Sequence, residues 1–72
     1  MKFKLFLRKY FLGQSYLINM STKEIHKIDN IKTNCHIKII THKKYITIWR
    51  YPEYLVDGYN GCRWCNKVDD KG

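Results

Sequence analysis

The number of cysteines constrains this chain more than any other feature. Three are present, Cys35, Cys62 and Cys65, in a chain of 72 residues. An odd number leaves one thiol outside any closed set of disulfides, whereas three thiols and one histidine complete a tetrahedral zinc shell. A chain this short buries only about 60% of the surface that its unfolded form exposes, so its fold needs a staple such as a metal.

Three histidines compete for the fourth position in such a shell. His36 directly follows Cys35 and is therefore poorly aimed at the same metal, and His42 lies in a lysine-rich stretch. We expect both of them at the surface. His26 lies in an alternating, strand-like run, eight residues separate it from Cys35, and it is the histidine that we expect to bind the metal.

The Cys62-x-x-Cys65 motif can place two thiolates on one ion while the intervening backbone turns tightly. Gly61 precedes it, and we expect this glycine to let the backbone approach the sulfurs. The alternative is a redox pair, but thioredoxin-like motifs belong to a βαβ framework longer than this chain can supply. Trp64, inside the motif, is expected to pack over the metal or to stack on a base.

Hydrophobic patterning predicts a single small α+β domain, a zinc-stabilised fold that ends in a Cys-x-x-Cys knuckle. A β-hairpin is predicted over residues 15–20 and 23–28, a third strand over 44–49, and a short helix over 52–57 that Gly58 ends. Residues 36–42 suit either a helix or a strand. The aromatic side chains expected in the core are Tyr45, Trp49, Tyr51 and Tyr54.

Three segments follow from this division of the chain. Residues 1–14 form an N-terminal arm, expected to be a short helix with Phe3, Phe6, Leu7 and Tyr10 on one face. Residues 15–67 form the zinc-binding module, and residues 68–72 form a tail. We expect the arm to cover the core, with contact to a membrane or a partner as the alternative.

The runs YLIN, TKEIH, NCHI and GYNGCRWC resemble the small metal-binding modules related to the zinc domain of the Ada DNA-repair protein. The resemblance covers residues 16–65 and implies zinc as the cofactor, with His26, Cys35, Cys62 and Cys65 as its ligands. Ada itself uses four cysteines, one of which accepts a methyl group. The first ligand position here is a histidine, so methyl transfer is not carried over.

The charge balance is strongly basic, with 14 Lys and Arg against 6 Asp and Glu. Such a surface attracts nucleic acid, anionic lipid or an acidic protein, although a lysine-rich composition can also reflect an AT-rich genome. Phosphate contacts are assigned to Lys32, Lys38, Lys43, Lys44, Arg50 and Arg63, with Trp64 as a stacking residue.

No set of side chains typical of an active site is present, and a filled zinc shell leaves no position for a reactive water. We therefore expect a non-enzymatic zinc finger-like module that binds nucleic acid. The alternative is a phage-like or mobile-element protein that binds a host protein and inhibits or adapts it. Without an uninterrupted apolar run, neither a signal peptide nor a transmembrane segment is expected, and a reducing cytoplasmic location follows.

Overall fold

A computed structural model of the chain describes residues 9–71. Within the N-terminal arm, residues 9–12 are helical, and Gln14 already belongs to the first strand. Of the predicted apolar face, Phe3, Phe6 and Leu7 lie outside the described residues, and Tyr10 is 64% exposed. No helix among residues 9–71 has both the length and the apolar character needed to cross a membrane.

The described chain forms a four-stranded sheet in the order β3-β1-β2-β4. The strands are β1 (Gln14–Asn19), β2 (Glu24–Lys27), β3 (Lys43–Thr47) and β4 (Asn60–Gly61). β1 pairs antiparallel with both β2 and β3, and β4 adds to β2 in parallel. The predicted hairpin is confirmed, and the side-chain oxygen of Asn19 accepts hydrogen bonds from the two backbone N–H groups of its turn.

The sheet is apolar on both sides, because alternate residues of its central strand are buried in opposite directions. Tyr16 and Ile18 of β1 pack with Ile25, Ile46 and the helix residue Tyr54 on one side, the helix face. Leu17 packs with Ile28 and Ile40 on the other side, the loop face, which residues 28–42 cover. The predicted α+β class is therefore confirmed, with a helix on one face and an irregular layer on the other.

The helix α1 (Tyr51–Val56) begins beside Pro52, whose fixed φ suits the first turn. It ends at Val56, and Gly58, two residues further on, has a φ of +89°. The left-handed region is accessible to glycine without the steric cost that a Cβ imposes, so this position ends the helix as the sequence predicted.

Two stretches differ from the sequence-based expectations. The covering layer on the loop face consists of short 3₁₀ turns at Ile28–Asn30, Thr33–Cys35 and Ile37–Ile39, so the ambiguous segment 36–42 is neither a strand nor an α-helix. Strand β3 ends at Thr47 and continues as a 3₁₀ turn over Ile48–Arg50.

This early end of β3 makes the core assignment of Trp49 wrong. The 3₁₀ turn breaks the alternation that would have turned the indole inward, and Trp49 is 73% exposed. Tyr54 is buried as predicted, whereas Tyr45 and Tyr51 are only half-buried. Strand β4 was not predicted, because two residues carry no periodic pattern.

Candidate metal centre

Four buried side chains from three parts of the chain meet at one end of the loop face. His26 projects from β2 on the same face as its cross-strand neighbour Leu17. Cys35 ends a 3₁₀ turn of the covering layer, and Cys62 and Cys65 follow β4. Their ligand atoms all lie within 4.8 Å of one another, and none of the four residues is more than 8% exposed. This group could hold a metal ion.

Strand β4 brings the Cys-x-x-Cys motif to the histidine. The backbone N–H of Asn60 donates to the carbonyl of Lys23 at 2.8 Å, and that of Cys62 donates to the carbonyl of Ile25 at 2.9 Å. These two parallel-sheet bonds place Cys62 next to the backbone of β2. The chain then turns back, and the N–H of Asn66 donates to the carbonyl of Cys62 at 2.8 Å.

Gly61 is required here for a reason other than the expected approach of its backbone to the sulfurs. A Cβ at this position would lie 2.8 Å from the carbonyl carbon of Asp69 and closer still to the carbonyl oxygen of Asn66. Real Cβ atoms essentially never approach another atom within 3.0 Å. The glycine therefore makes room for the backbone that follows the knuckle.

Two of the separations between the donors are close to those around a tetrahedral ion. With metal–sulfur bonds of about 2.3 Å and metal–nitrogen bonds of about 2.0 Å, two sulfurs lie about 3.8 Å apart, and a sulfur and a nitrogen lie about 3.5 Å apart. The sulfurs of Cys35 and Cys62 are 3.6 Å apart, and Cys65 Sγ is 3.6 Å from His26 Nδ1. The three cysteines form no disulfide.

Each of the three sulfurs also receives a hydrogen bond from one backbone N–H group. Lys27 donates to Cys65 at 3.3 Å, Lys32 donates to Cys35 at 3.4 Å, and Trp64 donates to Cys62 at 3.4 Å. Such donors stabilise a thiolate more than a neutral thiol, because the acceptor then carries charge. The backbone is therefore arranged for the charged form that binds metal.

In the absence of a metal, burial of the cysteines disfavours the charged thiolate. Desolvation raises the pKa of the Cys35 and Cys65 thiols above the ordinary value, which favours their neutral form. Desolvation also lowers the pKa of His26, which favours the neutral imidazole that ligates metals. Metal binding must therefore release thiol protons and becomes tighter as pH rises.

The remaining candidates lie at the surface. His36 and His42 are exposed, as predicted. Trp64 is 42% exposed, and the guanidinium carbon of Arg63 lies 5.5 Å from its ring centroid. All the residues assigned to phosphate contacts are exposed: Lys32, Lys38, Lys43, Lys44, Arg50 and Arg63.

These basic residues do not share one face. Lys43 pairs with Asn19 and Lys44 pairs with Ile18, so the two neighbouring lysines project to opposite sides of the sheet. Arg50 lies 3.2 Å from a carboxylate oxygen of Glu53 and is partly neutralised by it. Within residues 9–71, none of the other five makes a salt bridge.

Asn66 is a structural residue of the site that sequence reasoning missed. It is 1% exposed, and its side-chain amide donates to the hydroxyl of Tyr51 at 2.8 Å and to the carbonyl of Ile25 at 3.5 Å. The same hydroxyl donates to the carboxylate of Asp69. This network joins the end of the knuckle to α1 and β2, and no local sequence signal marks it.

Comparison with models of known protein families, with curated proteins and with solved structures gives no match to this chain. The resemblance to Ada-type zinc modules therefore stays an expectation that rests on the motifs alone. What the chain binds must be argued from the geometry of its own residues.

Proposed function

We propose that His26, Cys35, Cys62 and Cys65 bind one zinc ion, and that the module stabilised by this ion binds nucleic acid. The observation that carries the zinc assignment is the buried group of three sulfurs and one nitrogen, whose ligand atoms all lie within 4.8 Å of one another. Soft thiolate ligands select zinc over the harder divalent ions, and four protein ligands leave no open position. The site is accordingly structural, and the protein is not an enzyme.

Native mass spectrometry before and after treatment with a chelator tests the metal. We expect one zinc ion per chain, and unfolding by circular dichroism when the ion is removed. Replacing His26 by glutamine should abolish tight binding, whereas the matched change at the exposed His42 should leave it unaltered. A metal-free chain that keeps its fold, or equal effects of the two substitutions, would refute the site.

The nucleic-acid surface is proposed to lie around the metal group. Lys32 and Lys38 belong to the covering layer, while Arg63 and Trp64 lie in the knuckle. Lys32 and Trp64 each donate a backbone hydrogen bond to one of two neighbouring sulfurs, so these two segments flank the same group. An exposed indole beside unpaired cations is the combination that stacks on a base while neutralising phosphates.

Lys43 extends this surface along the edge strand on the same side, because it shares the loop face with Tyr45. Lys44 projects to the helix face, and Arg50 is engaged by Glu53. We therefore exclude these two from the proposed surface. Four phosphate contacts would then remain, from three lysines and one arginine.

Salt dependence tests this proposal most directly. Four contacts predict that affinity falls about 50-fold for a single strand and about 150-fold for a duplex as salt rises from about 50 to about 200 mM. Lys43→Gln should weaken nucleic-acid binding and reduce the dependence of affinity on salt concentration. Lys44→Gln is the matched control on the opposite face of the sheet, and it should have a smaller effect on both quantities. Absence of binding at low salt would refute nucleic-acid binding.

A second candidate function is binding to a host protein, as in small inhibitors and adaptors of phages and mobile elements. The observation that favours it is an exposed apolar group that includes Phe11 at 77%, Leu12 at 61%, Ile48 at 59% and Trp49 at 73% exposure. A Cβ at Gly13 would lie 4.0 Å from the Trp49 indole, so the two segments run close to each other there. Larger exposed apolar patches typically mark interaction sites.

A pull-down with the zinc-loaded chain distinguishes the two functions. A stoichiometric protein partner that survives nuclease treatment, and is lost on Trp49→Ser, would favour the second. Recovery of nucleic acid alone would favour the first. For either function we propose the reducing cytoplasm as the location, because all three cysteines are unbridged and placed to bind metal.

A further inference from the structure

The imidazole of His26 has one nitrogen that the metal group does not use. The side chain is fully buried, and Nδ1 faces the sulfur of Cys65 at 3.6 Å. The other ring nitrogen, Nε2, is buried and makes no hydrogen bond within the described part of the chain. A buried polar group without a partner is uncommon in folded proteins and calls for an explanation.

The two nitrogens of a neutral imidazole have complementary roles. If Nδ1 gives its lone pair to a metal, Nε2 must carry the hydrogen and needs an acceptor. Metal-binding histidines almost always donate this second N–H to a carboxylate, a backbone carbonyl or water, and that bond fixes both the tautomer and the ring orientation. His26 is too deeply buried for bulk water to serve.

Glu24 is the acid within reach of this nitrogen. Its Oε1 lies 3.4 Å from His26 Nε2, slightly beyond a well-formed hydrogen bond. Glu24 and His26 are two residues apart on β2, so their side chains project to the same face. The Glu24 side chain is 38% exposed, which leaves it room to close the remaining distance.

We propose that Glu24 is a positioning residue for the metal centre, whose carboxylate accepts the Nε2–H of His26 and holds Nδ1 toward the three sulfurs. The assignment rests on the proposed zinc site. Loss of such a partner typically lowers metal affinity about 10- to 100-fold. Glutamine keeps a side-chain oxygen at the same position and can still accept the hydrogen bond.

Zinc affinity of the full chain, measured by competition with a chromophoric chelator, tests this role. Glu24→Ala should weaken binding about 10- to 100-fold, and Glu24→Gln should retain most of the wild-type affinity. Glu53→Ala is the matched control, since Glu53 is an exposed acid on α1 paired with Arg50 and remote from the imidazole. An effect of the control equal to that of Glu24→Ala would overturn the assignment.

Nitrogen-15 NMR of the zinc-loaded chain gives a readout that a merely structural role would not change. In the wild type and in Glu24→Gln, His26 should be metallated at Nδ1 and show a slowly exchanging Nε2–H. In Glu24→Ala this hydrogen should exchange faster. Metallation at Nε2 in the wild type would overturn the assignment even if Glu24→Ala fails to fold.

The two proposals fail in different ways. If the wild-type chain binds no zinc, the proposed site fails and the role of Glu24 fails with it. If the wild type binds zinc tightly and folded Glu24→Ala binds it equally well, only the role of Glu24 is overturned.

Discussion

Replacing Gly61 by alanine perturbs the knuckle through backbone atoms alone. The added Cβ would lie 2.8 Å from the carbonyl carbon of Asp69, whereas ordinary van der Waals contacts of this kind begin at 3.4 Å. The two segments must therefore separate by at least about 0.6 Å at this point. Both obstructing groups belong to the main chain, so no flexible side chain can absorb the movement.

This displacement is large compared with what a metal site tolerates. Metal–ligand distances vary by only about 0.2 Å, and Cys65 immediately precedes Asn66, the residue that the new methyl group would push away. Overpacking of a tight region costs about 1–3 kcal/mol. We therefore expect zinc affinity to fall between about 5-fold and about 150-fold in the variant, since about 1.4 kcal/mol corresponds to a factor of ten.

Gly58→Ala is the control, because it changes the backbone without crowding it. Nothing lies within 4 Å of a Cβ at Gly58, but its φ of +89° is unfavourable for alanine. The cost there is about 1 kcal/mol in the free energy of unfolding, with little change in zinc affinity of the folded chain. Urea unfolding and chelator competition on both variants separate the two effects. Wild-type zinc affinity in Gly61→Ala would refute the reasoning.

Three further substitutions test the hydrogen-bond network at the knuckle and the division into core and surface. Tyr51→Phe removes the hydroxyl shared by Asn66 and Asp69 and should cost about 1–3 kcal/mol. Burial, followed by the hydrogen bond to Asp69, raises the pKa of Tyr51 above its ordinary value of 10.0. The stabilisation that the protonated Tyr51 hydroxyl contributes should therefore decrease as pH rises beyond that value, because the unfolded chain then loses the proton more readily than the folded chain. Urea unfolding of the zinc-loaded chain at pH values up to about 10.5 should reveal this slope, and an equal slope in the variant would contradict it. Ile18→Ala, at a position that is fully buried, should cost about 2–5 kcal/mol, whereas Ile39→Ala, at 77% exposure, should change stability by less than about 0.5 kcal/mol. Thermal unfolding distinguishes these two, and a similar loss in both would refute the division into core and surface.

The features that the sequence predicted correctly are those that are determined by residues close together along the chain. The hairpin follows from alternation and a polar turn, and the end of α1 follows from a glycine that accepts a positive φ. The grouping of one histidine with three cysteines was predicted from the number of donors, from their order along the chain and from the Cys-x-x-Cys motif. The presence and identity of an ion in that group stay predictions.

What the sequence could not supply depends on partners distant along the chain. Strand β4 exists only because Asn60 and Gly61 meet Glu24 and Ile25 across the sheet. Trp49 is an aromatic residue of the kind that is common in strands, and it was expected to be buried as part of β3. It is exposed because β3 ends before it, and the composition of residues 44–49 does not indicate where the strand ends. The contact that requires glycine at position 61 likewise involves backbone that the chain reaches only after turning through the knuckle.

The placement of the metal group also determines which surface depends on the ion. On the helix face, four sheet residues and Tyr54 pack together without any metal ligand. On the loop face, the covering layer contributes Ile28 and Ile40 to the apolar cluster around Leu17. Its third buried residue, Cys35, packs with Cys62 and Cys65. Loss of the ion would leave this layer with protonated thiols in place of metal bonds.

Lys32 and Lys38 lie on that layer, and Arg63 and Trp64 lie on the knuckle that the same ion would hold. Three of the four proposed phosphate contacts, and the stacking indole, thus lie on the two segments that the metal group joins. Because the ion would join donors as far apart in sequence as His26 and Cys65, separated by 39 positions, it would fix the relative positions of both segments at once. Nucleic-acid affinity should therefore fall as zinc occupancy falls, because the ion would hold both of the segments that carry most of the proposed surface.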